Sequence, residues 1–267
     1  MNYILITGAS KGIGKALATA FAKEGANLIL TARSEEDLIL TAEELRNQYS
    51  IIVHTFALDL LSPNAVENLY EWCAGNKYLV RVLVNNAGVG LYGDFEDISL
   101  EAYLDMLQLN QTVLLSMCYV FLPMLKEVPK SHILNVASVA GFCPTPYLSA
   151  YGASKSFVLM FSKSLRQELM KFSINVSCLC PGPTKTDFYA TAGFEEKAED
   201  IKNMLMSTKI VAEKAVDGMF RNQAVIIPGL TNQIGIFFGR LLPSGMLADI
   251  IAFGLKPKKR GRKNYTL

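Results

Sequence analysis

The sequence predicts an α/β protein, a doubly wound seven-stranded parallel sheet with helices on both faces. Three observations predict it. Seven apolar runs of strand length are continuous rather than alternating, as in strands covered on both faces. Six helix-length stretches separate them, the alternation that builds parallel crossover connections. A glycine-rich turn stands where the first strand hands over to the first helix.

The chain opens on "YILIT" (3–7), continues through "GASKGIG" (8–14) and enters a helix over 12–24. Glycines at such a turn let the backbone approach a pyrophosphate, while the helix N-terminus offers free N–H groups and a positive dipole end. Gly8, Gly12 and Gly14, with Ser10, Lys11 and Ile13 between them, are candidate nucleotide contacts. Their spacing is G-x-x-x-G-x-G rather than G-x-G-x-x-G. The second strand, "NLILTA" (27–32), is followed by Arg33. An acid here would bind the adenosine ribose hydroxyls, but Ala32 takes its place, and a guanidinium suits a phosphate dianion through paired hydrogen bonds. With Lys11 as a second cation nearby, the expected cofactor is NADP(H) rather than NAD(H).

The remaining elements follow in order: helix 34–48, strand "IVHTFAL" (52–58), helix 64–74, strand "RVLVNN" (81–86) and a long helix over 100–127. Then come strand "HILNVAS" (132–138), helix 150–172, strand "INVSCLC" (174–180), helix 211–221 and strand "AVIIP" (224–228). No linker, repeat or low-complexity block interrupts the pattern, so residues 1–255 read as one domain and 256–267 as a basic tail.

The 267 residues are 51% apolar and 19% charged, which suits a globular protein with a sizeable core. The net charge of +2 hides an asymmetry: "KPKKRGRK" (256–263) carries six cations, and the rest has 20 basic against 24 acidic residues. An acidic body offers no face for nucleic acid. None of the five cysteines forms a C-x-x-C pair, and only His54 and His132 could complete a metal site, so no metal is expected. Cys178 and Cys180, two apart on a strand, should share one buried face in a reducing compartment. The N-terminus starts directly on a strand pattern, so no secretory leader is expected, and no run of 18 apolar residues suggests a spanning helix.

"SAYGASKSF" (149–157) sets Tyr151 and Lys155 one helical turn apart. With 11 tyrosines in the chain, such a spacing arises by chance roughly 0.7 times, so the pair means nothing alone. Its company is "TGASKGIG" (7–14), "NNAG" (85–88), Ser138 thirteen residues before Tyr151, and "PGPTKT" (181–186). In this order the motifs resemble the short-chain dehydrogenase/reductase family in its common single-domain form, over residues 3 to about 228. The resemblance implies a Rossmann-like fold and an oxidoreductase acting on CH–OH or C=O groups. It implies that Ser138 hydrogen-bonds the reacting oxygen, Tyr151 is the general acid or base, and Lys155 lowers the Tyr151 pKa and binds the nicotinamide ribose. Asn110 would hold a water linking Lys155 to solvent, and Asp59 would contact the adenine. Asn86, Ala87 and Gly88 would line the cofactor cleft, with Ile13, Pro181, Gly182, Thr184 and Thr186 towards the nicotinamide end. A homodimer or homotetramer is implied as well.

Free tyrosine titrates near pH 10, and bringing it to about pH 7 takes roughly 4 kcal/mol. One ammonium at about 4 Å, at an effective dielectric of about 20, supplies roughly that amount. Reduction of a ketone or aldehyde is favoured over alcohol oxidation, because it follows from the NADPH expectation. The alternatives are an NAD-dependent alcohol dehydrogenase and a dinucleotide sensor or scaffold without chemistry.

The substrate side should comprise "GVGLYGDF" (88–95), "GFCPTPYL" (141–148) and "TDFYATAGFEEKAEDI" (186–201), the last suited to a lid. They offer Leu91, Tyr92, Phe142, Tyr147, Phe188, Tyr189 and Phe194, hence an apolar or lipid-like carbonyl substrate, or else aromatics that only pack the loops together. The segment 234–255 is apolar but broken by Arg240, Pro243 and Asp249. Packing against the body or a second subunit is its favoured reading, and peripheral membrane contact through 234–263 the other. The protein is expected in the cytoplasm, with that segment as its one link to a membrane.

Overall fold

The computed structural model describes residues 1–194 and 202–257. Seven parallel strands form one sheet: β1 (Asn2–Thr7), β2 (Asn27–Ala32), β3 (Val53–Ala57), β4 (Leu79–Asn85), β5 (His132–Val136), β6 (Asn175–Leu179) and β7 (Val225–Ile226). Their order is β3-β2-β1-β4-β5-β6-β7. The chain winds outward one way from β1 and then the other way from β4. The crevice beyond the strand C-termini at β1 and β4 is thus the topological switch point where ligands bind in such sheets.

The continuous apolar runs have a direct reading. Along β1, Tyr3 and Leu5 enter the core on one face, while Ile4 and Ile6 enter the core on the other. Helices α1 (Gly12–Lys23), α2 (Glu35–Gln48) and α3 (Ala65–Gly75) follow the first three strands. Ser34 starts α2 by accepting the Asp37 N–H, whereas α1 has no side-chain cap and leaves its first N–H groups free.

The single helix expected over 100–127 is a correction. It is three helices, α4 (Leu100–Leu107), α5 (Leu114–Val120) and α6 (Leu122–Glu127), with a wider π-type turn over Gln108–Val113. Pro123 lacks the N–H needed to continue α5, so the helix restarts there. The wide turn swings Asn110 inward, where it is 1% exposed.

Helix α7 (Ser149–Leu169) carries the Tyr151–Lys155 spacing. A short α8 (Phe188–Thr191) and a longer α9 (Thr208–Phe220) follow. Strand β7 is shorter than the run 224–228, because Gly229 takes φ +86° directly after Pro228 and turns the chain away. The apolar C-terminal segment becomes two helices, α10 (Leu230–Gly239) and α11 (Ser244–Leu255), neither of which buries a residue. Among the described residues no helix is long and apolar enough to cross a membrane. Residues 195–201 of the expected lid, and the tail beyond 257, lie outside the described residues.

Candidate active site

A cleft of about 1060 Å³ opens along the C-terminal ends of the strands. Its wall contains the glycine-loop residues Gly8, Ser10, Lys11, Gly12 and Ile13, then Arg33, Asp59, Asn86, Ala87 and Gly88. Further along stand Ser138, Tyr151, Lys155, Pro181, Gly182, Thr184 and Thr186. Of the sequence-derived site residues only Gly14 and Asn110 are absent from the wall, and both stand behind it.

Gly14 explains the tightness of the loop. A Cβ there would lie 2.1 Å from the Gly8 carbonyl oxygen and 2.5 Å from Asn86 Nδ2. Gly8 itself sits at φ +64°, where a side chain is strained. The loop is fastened from below by Thr7, which sequence reasoning missed. Its Oγ1 accepts the backbone N–H groups of Asn86 and Ala87, each at 3.0 Å. In return Asn86 Nδ2 donates to the carbonyls of Thr7 and Gly8 at 2.9 and 3.2 Å. The "TG" and "NNAG" motifs are thus two halves of one clamp across β1 and β4.

Lys11 pairs with Asp37 at 3.0 Å. Asp37 also faces the cleft, so this cation is already partly neutralised. Arg33 is exposed on the same wall. Among the described residues it makes no ion pair, so its guanidinium is free for an anion.

At the other end, Ser138 holds an extended backbone and accepts the Ala140 N–H at 3.1 Å. Lys155 is 5% exposed, donates to the Val136 carbonyl at 3.0 Å and has its Nζ 5.7 Å from the centre of the Tyr151 ring. The small residues between Tyr151 and Lys155 let α7 press on the preceding loop: a Cβ on Gly152 would meet Thr145 Oγ1 at 2.0 Å. Ser154 reaches back, accepting from Asn110 Nδ2 at 3.1 Å. Asn110 also brackets Val89, accepting its N–H at 3.0 Å and donating to its carbonyl at 2.9 Å. Its side chain ties the π-type turn to α7, behind Gly88.

Helix α7 is registered on the sheet by a buried polar chain. Asn85 Nδ2 donates to Asn135 Oδ1 at 2.8 Å, Asn135 Nδ2 to Ser162 Oγ at 3.0 Å, and Ser162 to the Val158 carbonyl at 2.7 Å.

The electrostatics correct the expectation that Lys155 alone brings Tyr151 near neutral. Burial pushes the phenol up to about 12, and the neighbouring Ser138 hydroxyl pulls the other way. Burial also lowers the Lys155 ammonium to about 8, against a smaller opposing effect of Cys178 and Cys180. Both groups are desolvated together, so each is shifted towards its neutral form, although Lys155 keeps its proton at neutral pH. In the protein by itself the phenol holds its proton at neutral pH.

The substrate aromatics divide. Phe188, Tyr189 and Phe194 line the cleft, the first with its ring 5.4 Å from that of Tyr151. Leu91, Tyr92, Phe142 and Tyr147 do not line it, which is a correction. Leu91 packs with Tyr103 and Met106, and Tyr92 meets Phe194 edge-on at 4.3 Å. Arg240 lies 5.3 Å from the Phe142 ring, and Tyr147, at φ +66°, joins the loop cluster around Tyr92. Loop side chains point where the turn sends them, without the periodicity that aims a strand or helix. Val89, Thr145 and Leu148 line the cleft from the expected stretches 88–95 and 141–148, while from α11 Ile251 and Leu255 line it unforeseen. The apolarity of 234–255 was the only signal for the last two.

Comparison with known proteins identifies the family. The chain matches the short chain dehydrogenase family over residues 2–197. It is 38% identical over 202 residues to sulfoacetaldehyde reductase 2 of Chromohalobacter salexigens, covering 74% of this chain and 79% of that one. A short-chain dehydrogenase of Sphingobium yanoikuyae, solved with NADPH, superposes with a TM-score of 0.80 at 30% identity, covering 93% of this chain and 96% of the other. One from Burkholderia phymatum, solved with NAD, gives 0.83 at 22% identity over 100% and 98%, a likeness of fold. The chain belongs to the short-chain dehydrogenase family. It is an oxidoreductase of the kind that uses a nicotinamide dinucleotide on CH–OH or C=O groups.

Proposed function

We propose that the protein reduces an uncharged, apolar ketone or aldehyde to the alcohol with NADPH. The observation that carries this reading is the convergence of Ser138, Tyr151 and Lys155 on one end of a cleft whose other end offers a glycine loop and Arg33, which has no ion pair among the described residues. The residues fit the dinucleotide: the glycine loop and uncapped α1 suit its pyrophosphate, and Arg33 a 2′-phosphate. Asp59 would take the adenine, and Lys155 with Thr184 and Thr186 the nicotinamide end. The bound cofactor supplies the hydride.

Ser138 Oγ then orients the substrate oxygen, and Tyr151 gives that oxygen its proton. A phenol held protonated by burial suits donation to a developing alkoxide, which is far more basic than a phenolate. Lys155, fixed on the Val136 carbonyl, stabilises the phenolate left behind. Asn110 keeps the turn and α7 in register behind the pair.

Among the described residues the cations in the cleft wall are Lys11, Arg33 and Lys155, and the first two stand at the adenosine end. The wall near Tyr151 includes Val89, Leu148, Phe188 and Phe194 beside the uncharged polar groups of Ser138, Thr145 and Tyr189. This favours an uncharged substrate, unlike the sulfonate named for the Chromohalobacter relative, though that relative's name supports an aldehyde or ketone as the reacting group.

A second reading, NAD(H), draws on the Lys11–Asp37 pair, which puts a carboxylate beside the place for a 2′-phosphate. Dissociation constants for both reduced cofactors, with wild type and Arg33→Ala, decide between them. The NADPH reading expects the variant to lose NADPH affinity about tenfold or more and to keep NADH affinity. A screen of aldehydes and ketones following NADPH consumption tests the chemistry, with Tyr151→Phe expected to fall about 10²–10⁴-fold. Tight NADPH binding without turnover of any carbonyl would point to a sensor instead.

A further inference from the structure

We infer that α10 and α11 form a docking surface for an anionic membrane, placed at the substrate end of the cleft. The two helices carry an unusual amount of exposed apolar surface. Phe237 is 63% exposed, Phe238 60%, Leu241 67% and Phe253 89%, and Met246 and Ile250 are more than half exposed. The longer helices of the body, by contrast, all turn a buried face to the sheet. Exposed apolar side chains concentrated in this way mark a surface that meets something apolar.

The partner follows from charge. Between 230 and 255 the only charged residues are Arg240 and Asp249, and the sequence then runs straight into "KPKKRGRK" with six cations. Apolar side chains followed at once by a polybasic stretch are complementary to a bilayer with acidic headgroups. A second copy of the chain fits less well. A twofold interface through this face would offer the six cations that follow it in sequence a single carboxylate, Asp249, from residues 230–255 of the other copy. With 10 and 12 residues, the helices reach about 15 and 18 Å, against roughly 30 Å of hydrocarbon. They therefore lie in the surface rather than cross it.

The same elements touch the site. Ile251 and Leu255 line the cleft on the inner side of α11, and the Tyr92 hydroxyl donates to the Leu255 carbonyl at 2.8 Å. Resting on the apolar substrate proposed above, the docked protein would face its substrate entrance to the lipid.

Flotation of the full chain with vesicles tests this, using phosphatidylcholine alone and phosphatidylcholine with about a third phosphatidylserine, at low and high salt. Wild type is expected to float with the anionic vesicles, about tenfold less with neutral ones, and less as salt rises. The double variant Phe237→Asp, Phe253→Asp should lose at least about tenfold in bound fraction. Replacing the six tail cations by glutamine should do the same and remove the salt dependence, which keeps the test alive if the double variant misfolds. Wild type left in the soluble fraction, or equal binding to both vesicles, overturns the inference. So does a dimer in sedimentation velocity that the double variant abolishes while vesicles capture neither protein. Vesicle capture without turnover of any carbonyl upholds the docking surface and removes the proposed reduction; turnover without capture does the reverse.

Discussion

Replacing Lys155 by methionine separates the energetic burden of a buried ammonium from its chemical use. Burial brings its pKa from 10.5 to about 8. At about 1.4 kcal/mol per tenfold, keeping that proton in the folded state costs about 3 kcal/mol near neutral pH. The unfolded chain binds more protons than the folded one between about pH 8 and 10.5, so stability rises with pH across that window. Near pH 10 the cost has shrunk to about 1 kcal/mol. Methionine removes the charge but leaves the Val136 carbonyl, which Nζ reaches at 3.0 Å, without its donor. That loss is about 1–2 kcal/mol at either pH. Lys155→Met should therefore be about 1–2 kcal/mol more stable than wild type near neutral pH, and no more stable near pH 10, while carbonyl reduction falls sharply. Urea unfolding at both pH values measures this, without nucleotide, because a ligand of the folded state adds its own stabilisation. A stability difference that is the same at both pH values would refute the reasoning, since the ammonium would then carry no burial cost.

His132 gives an acid counterpart. It is 7% exposed, and burial, with Arg81 and Arg166 nearby, lowers it from 6.5 to about 4. The stability of its neutral form is fully present above about pH 6.5 and is lost as pH falls towards 4, by about 3 kcal/mol. Urea unfolding over that range should show His132→Leu losing about 3 kcal/mol less than wild type; parallel curves would exclude the histidine. Gly14→Ala forces a Cβ to within 2.1 Å of the Gly8 carbonyl oxygen. The displaced loop should weaken dinucleotide binding about 10–100-fold in a calorimetric titration, and unchanged affinity would mean that the loop yields freely.

The strands were legible because continuous apolar runs have one physical explanation, burial on both faces, and β1 bears it out residue by residue. The glycine loop, Ser138, Tyr151 and Lys155 were legible because strand C-termini bring them to one edge however the loops run. Loop aromatics were not, since nothing local told Phe188, which faces the cleft, from Tyr92, which faces away. The Thr7–Asn86 clamp joins residues 79 apart and leaves no periodic trace. The break in 100–127 did have a signal in Pro123, but the π-type turn that turns Asn110 inward had none. The Tyr151 pKa was misjudged for a further reason. The charge argument counted attraction to Lys155 and omitted the desolvation that raises the phenol and lowers the amine together.

The amide-to-hydroxyl chain from Asn85 through Asn135 to Ser162 works as a bolt. Aliphatic packing would tolerate a helix sliding by a fraction of a turn, whereas this chain would break and strand unsatisfied dipoles in the interior. The reactive end of α7 is therefore indexed to the sheet independently of the loops that shape substrate choice. Grafting a different loop onto residues 187–194 should redirect selectivity while leaving the proton-transfer hardware in alignment.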